Sequence, residues 1–178
     1  MTTEELDLLY REQFGALYRF VLFKVRHTQT AEDIAQTVFV RALEALPRFK
    51  IRDDKRTEAP ASAWLFTIAR NLCIDHYKKH SSFTPGDETG FFSEIADVRA
   101  DATESAADRE RKQALAVAVS DLSESEQEFV TLYHIEEKSY QEVSAIMGKS
   151  EEALRAINHR AKKDLKTKLK QFYDDTKE

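Results

Sequence analysis

SYQEVSAIMGKSEEALRAINHRAKKDLKTKL, residues 139–169, is the segment whose pattern most clearly predicts a local structure. Ser139 and Glu142 have the spacing of a capping box, which starts a short helix. Gly148 can take the left-handed conformation that ends a helix, and Ser150 can cap the helix that follows. A short helix, a tight turn and a second capped helix predict a helix-turn-helix.

The second helix of this pair has an apolar side and a basic side. Leu154, Ile157, Ala161 and Leu165 recur at helical spacing, and cations occupy many of the remaining positions. Such a helix can lie in a DNA major groove, with long donors reaching base edges and phosphates. An ordinary helical hairpin with a solvated charged surface explains the same pattern, so the pattern alone leaves DNA binding open.

The net charge of −5 does not exclude nucleic acid, because the charges are unevenly distributed. Residues 149–170 hold eight Lys or Arg and three acids, whereas residues 81–108 hold one Arg and seven acids. A local basic stripe matters more for DNA than the sum over the chain.

Helical periodicity also covers the N-terminal part of the chain. Thr2 and Glu5 form a capping box at the start of the first helix. The second helix is predicted to begin at a Thr30 cap and to end before Pro47, and Pro60 is predicted to open the third. The apolar face of the second helix is read as Ile34, Val38, Phe39, Ala42, Leu43 and Leu46. The charged stretch 48–57 is read as a loop.

The third helix mixes aromatic and cationic residues. Trp64, Ile68 and Leu72 are interpreted as core, since they recur at helical spacing. Aromatic rings can stack on unpaired bases while cations follow a backbone, so Lys78 and Lys79 suit either a nucleic acid or solvent.

The predicted architecture is all-α, with two helical domains. A three-helix domain spans 1–80, an acidic linker 81–107, a four-helix domain with the helix-turn-helix 108–172, and a tail 173–178. Phe91, Phe92 and Ile95 are unusual for a linker.

Several classes of protein and site are disfavoured. A single cysteine, Cys73, excludes an intrachain disulfide and a cysteine metal cluster. His76 and His80 lie four residues apart but lack a third metal ligand nearby, so no metal and no cofactor are expected. The absence of a signal peptide and of an apolar run of about 20 residues predicts a cytoplasmic protein. No nucleophilic triad or Gly-rich phosphate loop is evident, so an enzyme is not expected.

Three segments in order resemble the extracytoplasmic-function (ECF) group of bacterial sigma-70 family sigma factors. They are AEDIAQTVFVRAL (31–43), AWLFTIARNLCIDHYKK (63–79) and LSESEQEFVTLYHIEEKSYQEVSAIMGKSEEALRAINHRAKKDL (122–165). The resemblance covers residues 8–80 and 108–170. It implies a non-catalytic initiation factor that binds core RNA polymerase and recognises the −10 and −35 elements of promoter DNA.

The resemblance also implies roles for particular residues. The positions that match the family's polymerase-docking helix are Asp33, Gln36, Val40 and Arg41. Those that match its −10 segment are Arg70, Asn71, Asp75, Lys78 and Lys79. Those that match its −35 helix are Ser150, Arg155, Ala156, His159, Arg160 and Lys162. Because the family is often held inactive by an anti-sigma factor, such a protein joins the candidate partners.

Two other functions fit parts of the pattern. A self-sufficient helix-turn-helix repressor or activator would use residues 1–80 for dimerisation or sensing and would bind a palindromic site unaided. A helical enzyme acting on nucleic acid would need a metal or nucleophile constellation that the sequence does not offer.

Overall fold

The computed structural model describes residues 2–45, 61–79 and 105–175. Within these ranges the secondary structure is helical, without strands, which confirms the all-α prediction. The helices are α1 (Thr3–Val25), α2 (Thr28–Ala45), α3 (Ala61–Lys79), α4 (Ala106–Ser120), α5 (Glu124–Phe129) continued by a π-helix (Val130–Ile135), α6 (Tyr140–Met147) and α7 (Glu151–Asp175).

The described helices form two compact units. The first contains α1, α2 and α3, whose apolar faces pack together. Phe20 of α1 and Phe66 of α3 are fully buried and meet edge to face, with ring centroids 5.4 Å apart. Tyr77 of α3 donates a hydrogen bond to the carbonyl of Lys24 near the end of α1.

The segment Lys138–Lys149, which contains α6, also belongs to the first unit. The Lys138 ammonium donates to Gln13 Oε1 at 3.0 Å and lies 4.8 Å from the centroid of the Phe66 ring. Ser62 Oγ of α3 donates to Glu142 Oε1 of α6 at 3.2 Å. Lys138 is only 9% exposed, so a charged side chain is buried here against an amide oxygen and an aromatic face.

The second unit contains α4, α5 with its π-helical continuation, and α7. Its apolar centre includes the fully buried Phe129, Leu132 and Leu154. Gln127 Nε2 donates to the carbonyls of Ser120 and Leu122, both at 2.7 Å, and so holds the turn between α4 and α5.

The π-helix at Val130–Ile135 has no counterpart in the sequence prediction. The Glu136 amide donates to the Thr131 carbonyl five residues earlier at 2.9 Å. Thr131 Oγ1 donates back to the Gln127 carbonyl at 2.9 Å, and such back-bonding by a threonine hydroxyl often bends helices. The π-helix ends at Ile135, and Glu137 beyond it has a φ of 54°, in the left-handed region.

One helix end carries a signal predicted from the sequence, and another carries a cap that was not predicted. Gly148 ends α6 with a φ of 66°, as the left-handed cap requires. At the start of α4, the Ser105 hydroxyl donates a hydrogen bond to Asp108 and holds the pKa of that exposed carboxyl below its usual value.

Some predictions fall outside the described residues or stay untested. The loop 48–57, most of the acidic linker, and Phe91, Phe92 and Ile95 lie outside the described ranges, as does His80. The domain limits remain a prediction. The last helix, expected to end near Leu169, continues to Asp175, and no Gly or Pro interrupts it.

The burial of Lys138 gives a stability prediction for the first unit. We expect Lys138→Ala to lower the free energy of unfolding by about 1–3 kcal/mol, because both the bond to Gln13 and the contact with Phe66 are lost. Urea unfolding followed by fluorescence of Trp64, the single tryptophan, reports on this unit. The exposed Lys78→Ala should change stability by no more than about 0.5 kcal/mol. Equal effects of the two substitutions would contradict the prediction.

Candidate functional site

α7 is built as an anchored helix with an open outer side. The Ser150 hydroxyl caps it by accepting from the Ala153 amide at 3.2 Å. Leu154, Ile157 and Ala161 are buried against the rest of the second unit. These three positions fix the rotation of the helix and therefore which side faces solvent.

A basic stripe runs along the outer side of α7. Arg155, His159, Lys162 and Lys166 are exposed, and at 3.6 residues per turn they fall within one arc of about 60°. Arg155 Nη2 lies 3.2 Å from Glu151 Oε2, in a pair whose side chains are 67% and 45% exposed. An exposed pair of this kind contributes at most about 1 kcal/mol, so it leaves Arg155 able to exchange its partner for a phosphate or a base.

Arg160 lies apart from that stripe, about 140° around the helix from Arg155. Its Nε is 3.5 Å from Oε1 of Glu126, an acid whose side chain is only 8% exposed. The predicted −35 residues from Arg155 to Lys162 therefore span an arc of about 160° on the side of α7 away from its buried residues, with Arg160 at one edge. Ala156 and Ser150 are exposed as well, beside the stripe and at the helix start respectively. Sequence reasoning did not connect Glu126 with Arg160.

A second link joins the π-helix to α7. His134 Nε2 lies 3.1 Å from Oδ1 of Asn158. His134 itself is exposed. The irregular helix thus supplies a side chain that reaches α7.

The predicted −10 residues on α3 are divided between two sides. Asn71, Asp75 and Lys78 are exposed and lie within one arc of about 60°. Lys79 is exposed at the helix end, and Arg70 is half-buried about 100° away from Asn71.

The predicted core assignment on α3 was only partly right. Leu72 is buried, but Trp64 and Ile68 keep intermediate exposure. At 3.6 residues per turn, Trp64 and Ile68 lie about 20° and 60° from Asn71 around α3, and about 140° and 100° from the fully buried Ala69. Trp64 and Ile68 are thus only partly buried, because helical spacing identifies a face without saying how completely another element covers it.

The predicted polymerase-binding residues are exposed together on α2. Asp33, Gln36 and Val40 follow one side of the helix, with Arg41 beside them. Val40 is 55% exposed and Leu43 is 50% exposed. The sequence placed Leu43 in the core, and this was wrong because one step beyond the buried Ala42 turns a side chain about 100° towards solvent. Leu43 thereby extends the apolar part of this surface.

Neither a metal site nor a membrane-spanning helix is found in the residues that the structure describes. No three His, Cys, Asp or Glu side chains there are grouped so that they could hold a metal. None of the helices in ranges 2–45, 61–79 and 105–175 is long and apolar enough to span a bilayer.

Comparison with protein families matches both halves of the chain. Residues 9–83 match the model of sigma-70 region 2, and residues 112–165 match the model of sigma-70 region 4. The chain is 31% identical over 163 residues to the ECF RNA polymerase sigma factor SigM of Bacillus subtilis, covering 90% of this chain and 93% of SigM. This protein belongs to the ECF group of sigma-70 family sigma factors. As such it directs promoter-specific initiation by RNA polymerase.

A second curated relative of this sigma factor is the ECF RNA polymerase sigma factor BldN of Streptomyces coelicolor. The two are 33% identical over 157 residues, which is 88% of this chain and 57% of BldN. The chain thus spans little more than half of BldN and nearly all of SigM.

Solved structures share the fold of this sigma factor. One is CnrH in complex with the cytosolic domain of CnrY, with a TM-score of 0.67 and 23% identity, over 96% of this chain and 90% of CnrH. Another is the sigma factor RpoE of Bartonella quintana in complex with the anti-sigma factor NepR, with a TM-score of 0.68 and 20% identity, over 94% and 98%. At these identities the likeness concerns the fold alone.

Proposed function

We propose that three exposed helix surfaces divide the work of initiation in this sigma factor. The outer side of α2 docks on core polymerase, the exposed side of α3 meets the −10 element, and the basic stripe of α7 meets the −35 element. The observation that carries the proposal is that each surface lies opposite a buried face, on a helix that the region 2 or region 4 model covers.

The α2 surface has the composition of a protein interface. The apolar residues Val40 and Leu43 are 55% and 50% exposed, respectively. Asp33 and Arg41 add charges of both signs at its edge. An apolar centre with a polar rim is the usual anatomy of a protein–protein contact, and polymerase is the partner that the family supplies.

The α3 surface suits unpaired DNA. Lys78 and Lys79 can follow a sugar–phosphate backbone, while Asn71 can hydrogen-bond to an exposed base edge. Trp64, which is of intermediate exposure, lies on the same side of the helix. We assign Arg70, Asn71, Asp75, Lys78 and Lys79 to the −10 contact, with Arg70 nearer the edge because it is half-buried.

The α7 surface suits duplex DNA. Arg155 and His159 lie near the start of the helix, where base edges are reached in a major groove, and Lys162 lies one turn further along, suited to phosphate. Ser150 and Ala156 flank them, and Arg160 lies at the side. Because the chain has a net charge of −5, non-specific attraction to DNA contributes little to its binding. Attachment to polymerase therefore has to provide a high effective concentration of the factor at the promoter.

Three further parts of the proposal follow from this division. The factor performs no catalysis, since bond formation belongs to the polymerase. It works in the cytoplasm, where the polymerase and the promoter are. An anti-sigma factor is included as a partner, because RpoE of B. quintana was solved with one.

A self-sufficient regulator remains the contrasting function. It would bind a symmetric duplex tightly without polymerase, whereas a sigma factor should bind promoter duplex weakly alone and selectively as holoenzyme. Run-off transcription with purified core polymerase over a promoter library separates the two. Tight, specific binding by the chain alone, without any polymerase-dependent transcription, would overturn the proposal.

Reversing a charge on α2 tests the polymerase surface. We expect Asp33→Arg to weaken retention by immobilised core polymerase about tenfold or more. The substitution replaces a negative charge that complements the polymerase surface with a positive charge that the surface repels. Circular dichroism should stay unchanged, since Asp33 is exposed. Glu12→Arg, at an exposed position of α1, is the matched control and should leave retention unaltered. Equal retention of the Asp33 variant and the wild type would remove α2 from the interface.

Two substitutions on α7 test the division between phosphate and base contacts. We expect Lys162→Ala to weaken holoenzyme binding uniformly across −35 sequences and to reduce the salt slope by about 1. We expect Arg155→Ala to reduce discrimination between the preferred and an altered −35 sequence by about 1–3 kcal/mol. Both effects are measured by salt-dependent promoter binding. Unchanged slope and unchanged discrimination in the two variants would contradict the assignment of the stripe.

A further inference from the structure

The Glu126 carboxylate is shared between a helix cap and a neighbouring helix. Its Oε2 accepts from the amide of Ser123 at 3.1 Å and from the Ser123 hydroxyl at 2.6 Å, as the third residue of the α5 capping box. Its Oε1 faces Nε of Arg160 at 3.5 Å. A carboxylate whose side chain is only 8% exposed needs such partners for both oxygens.

The contact with Glu126 satisfies only part of the hydrogen-bonding capacity of Arg160. Its side chain is 59% exposed, and a guanidinium carries five N–H donors in a rigid plane. One of them faces Glu126, so the terminal nitrogens have capacity for another acceptor. Because the fork is planar, an anchored Nε restricts the orientation of the donors on the terminal nitrogens.

We propose that Glu126 is a positioning residue for −35 recognition. Its carboxylate orients the guanidinium of Arg160, which then presents its terminal donors to the promoter in one arrangement. This rests on the proposed placement of α7 at the −35 element. The benefit is preorganisation, since a side chain already held in its bound geometry loses less freedom when DNA arrives.

The pair also has an electrostatic side. Without Arg160, Glu126 would leave a nearly buried negative charge at the edge of a DNA-binding helix, unpaired and repelled by phosphates. Removing the arginine alone therefore costs more than the loss of its own contacts. Neutralising Glu126 as well removes that second cost, and the two residues should behave as a coupled pair.

Glu126→Gln separates positioning from capping. Glutamine also serves at the third position of a capping box, so α5 keeps its start. The amide then turns an NH2 donor, rather than a carboxylate oxygen, towards the guanidinium, and Arg160 loses its anchor. Glu5→Gln makes the same change at the same position of the α1 capping box and is the matched control.

The experiment uses the full chain with core polymerase. Wild-type holoenzyme first selects a preferred −35 sequence from a randomised library. Run-off transcription then compares that promoter with single-base variants for Glu126→Gln, Arg160→Ala, the double variant and Glu5→Gln. Thermal unfolding is measured in parallel.

We expect Glu126→Gln to reduce the preferred-to-altered ratio about threefold or more, with little change in melting temperature. In the Arg160→Ala background the same substitution should not reduce the ratio further, and Glu5→Gln should not alter it. A higher total run-off yield from the double variant than from Arg160→Ala would show the removed repulsion.

Three outcomes would overturn the positioning role. The ratio could stay unchanged in Glu126→Gln while it falls in Arg160→Ala. It could fall equally in both backgrounds, which would mean that Glu126 acts without Arg160. All promoters could lose activity together with a lower melting temperature, which would make the role structural. If the library enriches no −35 bases at all, the placement of α7 itself fails, and the positioning role falls with it.

Discussion

The burial of an apolar face on each helix determines which polar groups the sigma factor can offer to its partners. On α7, Leu154, Ile157 and Ala161 are held inside, and this fixes Arg155, His159 and Lys162 on the outside. On α2, the buried Ile34, Val38 and Ala42 set the exposed stripe in the same way. A rotation of one residue, about 100°, would turn a binding side chain into the core. Packing in the core and recognition at the surface are therefore set by the same helical phase.

Local signals in the sequence were sufficient for the helices, and much less so for the contacts between them. Capping boxes, Gly148 and apolar spacing predicted several helix ends and most exposed faces, because these depend on residues within a few positions of one another. The predicted cap Thr30 was wrong, since α2 already begins at Thr28. Spacing along one helix does not identify what covers its face. The burial of Lys138 against Gln13 and Phe66 and the pairing of Arg160 with Glu126 both depend on residues distant in the chain. The π-helix escaped prediction because its turn depends on a backbone register that side-chain patterns do not encode.

Charge distribution explains how an acidic chain can serve on DNA. The basic residues are concentrated on α7 and at the end of α3, whereas 81–108 carries a large acidic excess. A stripe of a few cations gives short-range contacts to phosphate, and the overall negative charge limits non-specific binding. In the proposed division of labour, polymerase brings both DNA-binding surfaces to one promoter. Weak contacts with each element then combine through effective concentration, and discrimination does not require tight binding by either surface.

In two of the capping boxes, one glutamate carboxylate both caps its own helix and contacts a neighbouring helix. In each of the boxes at Ser123 and Ser139, one oxygen of the glutamate accepts from the capping serine. The other oxygen reaches a different helix: Glu142 accepts from Ser62, and Glu126 faces Arg160. A carboxylate has two oxygens, and capping needs only one of them. The motif that marks a helix start in the sequence can thus also set the position of a neighbouring helix, although only the first of these effects is visible from spacing. This is why replacement by glutamine, which caps as well but lacks the second acceptor, separates the start of α5 from the orientation of Arg160.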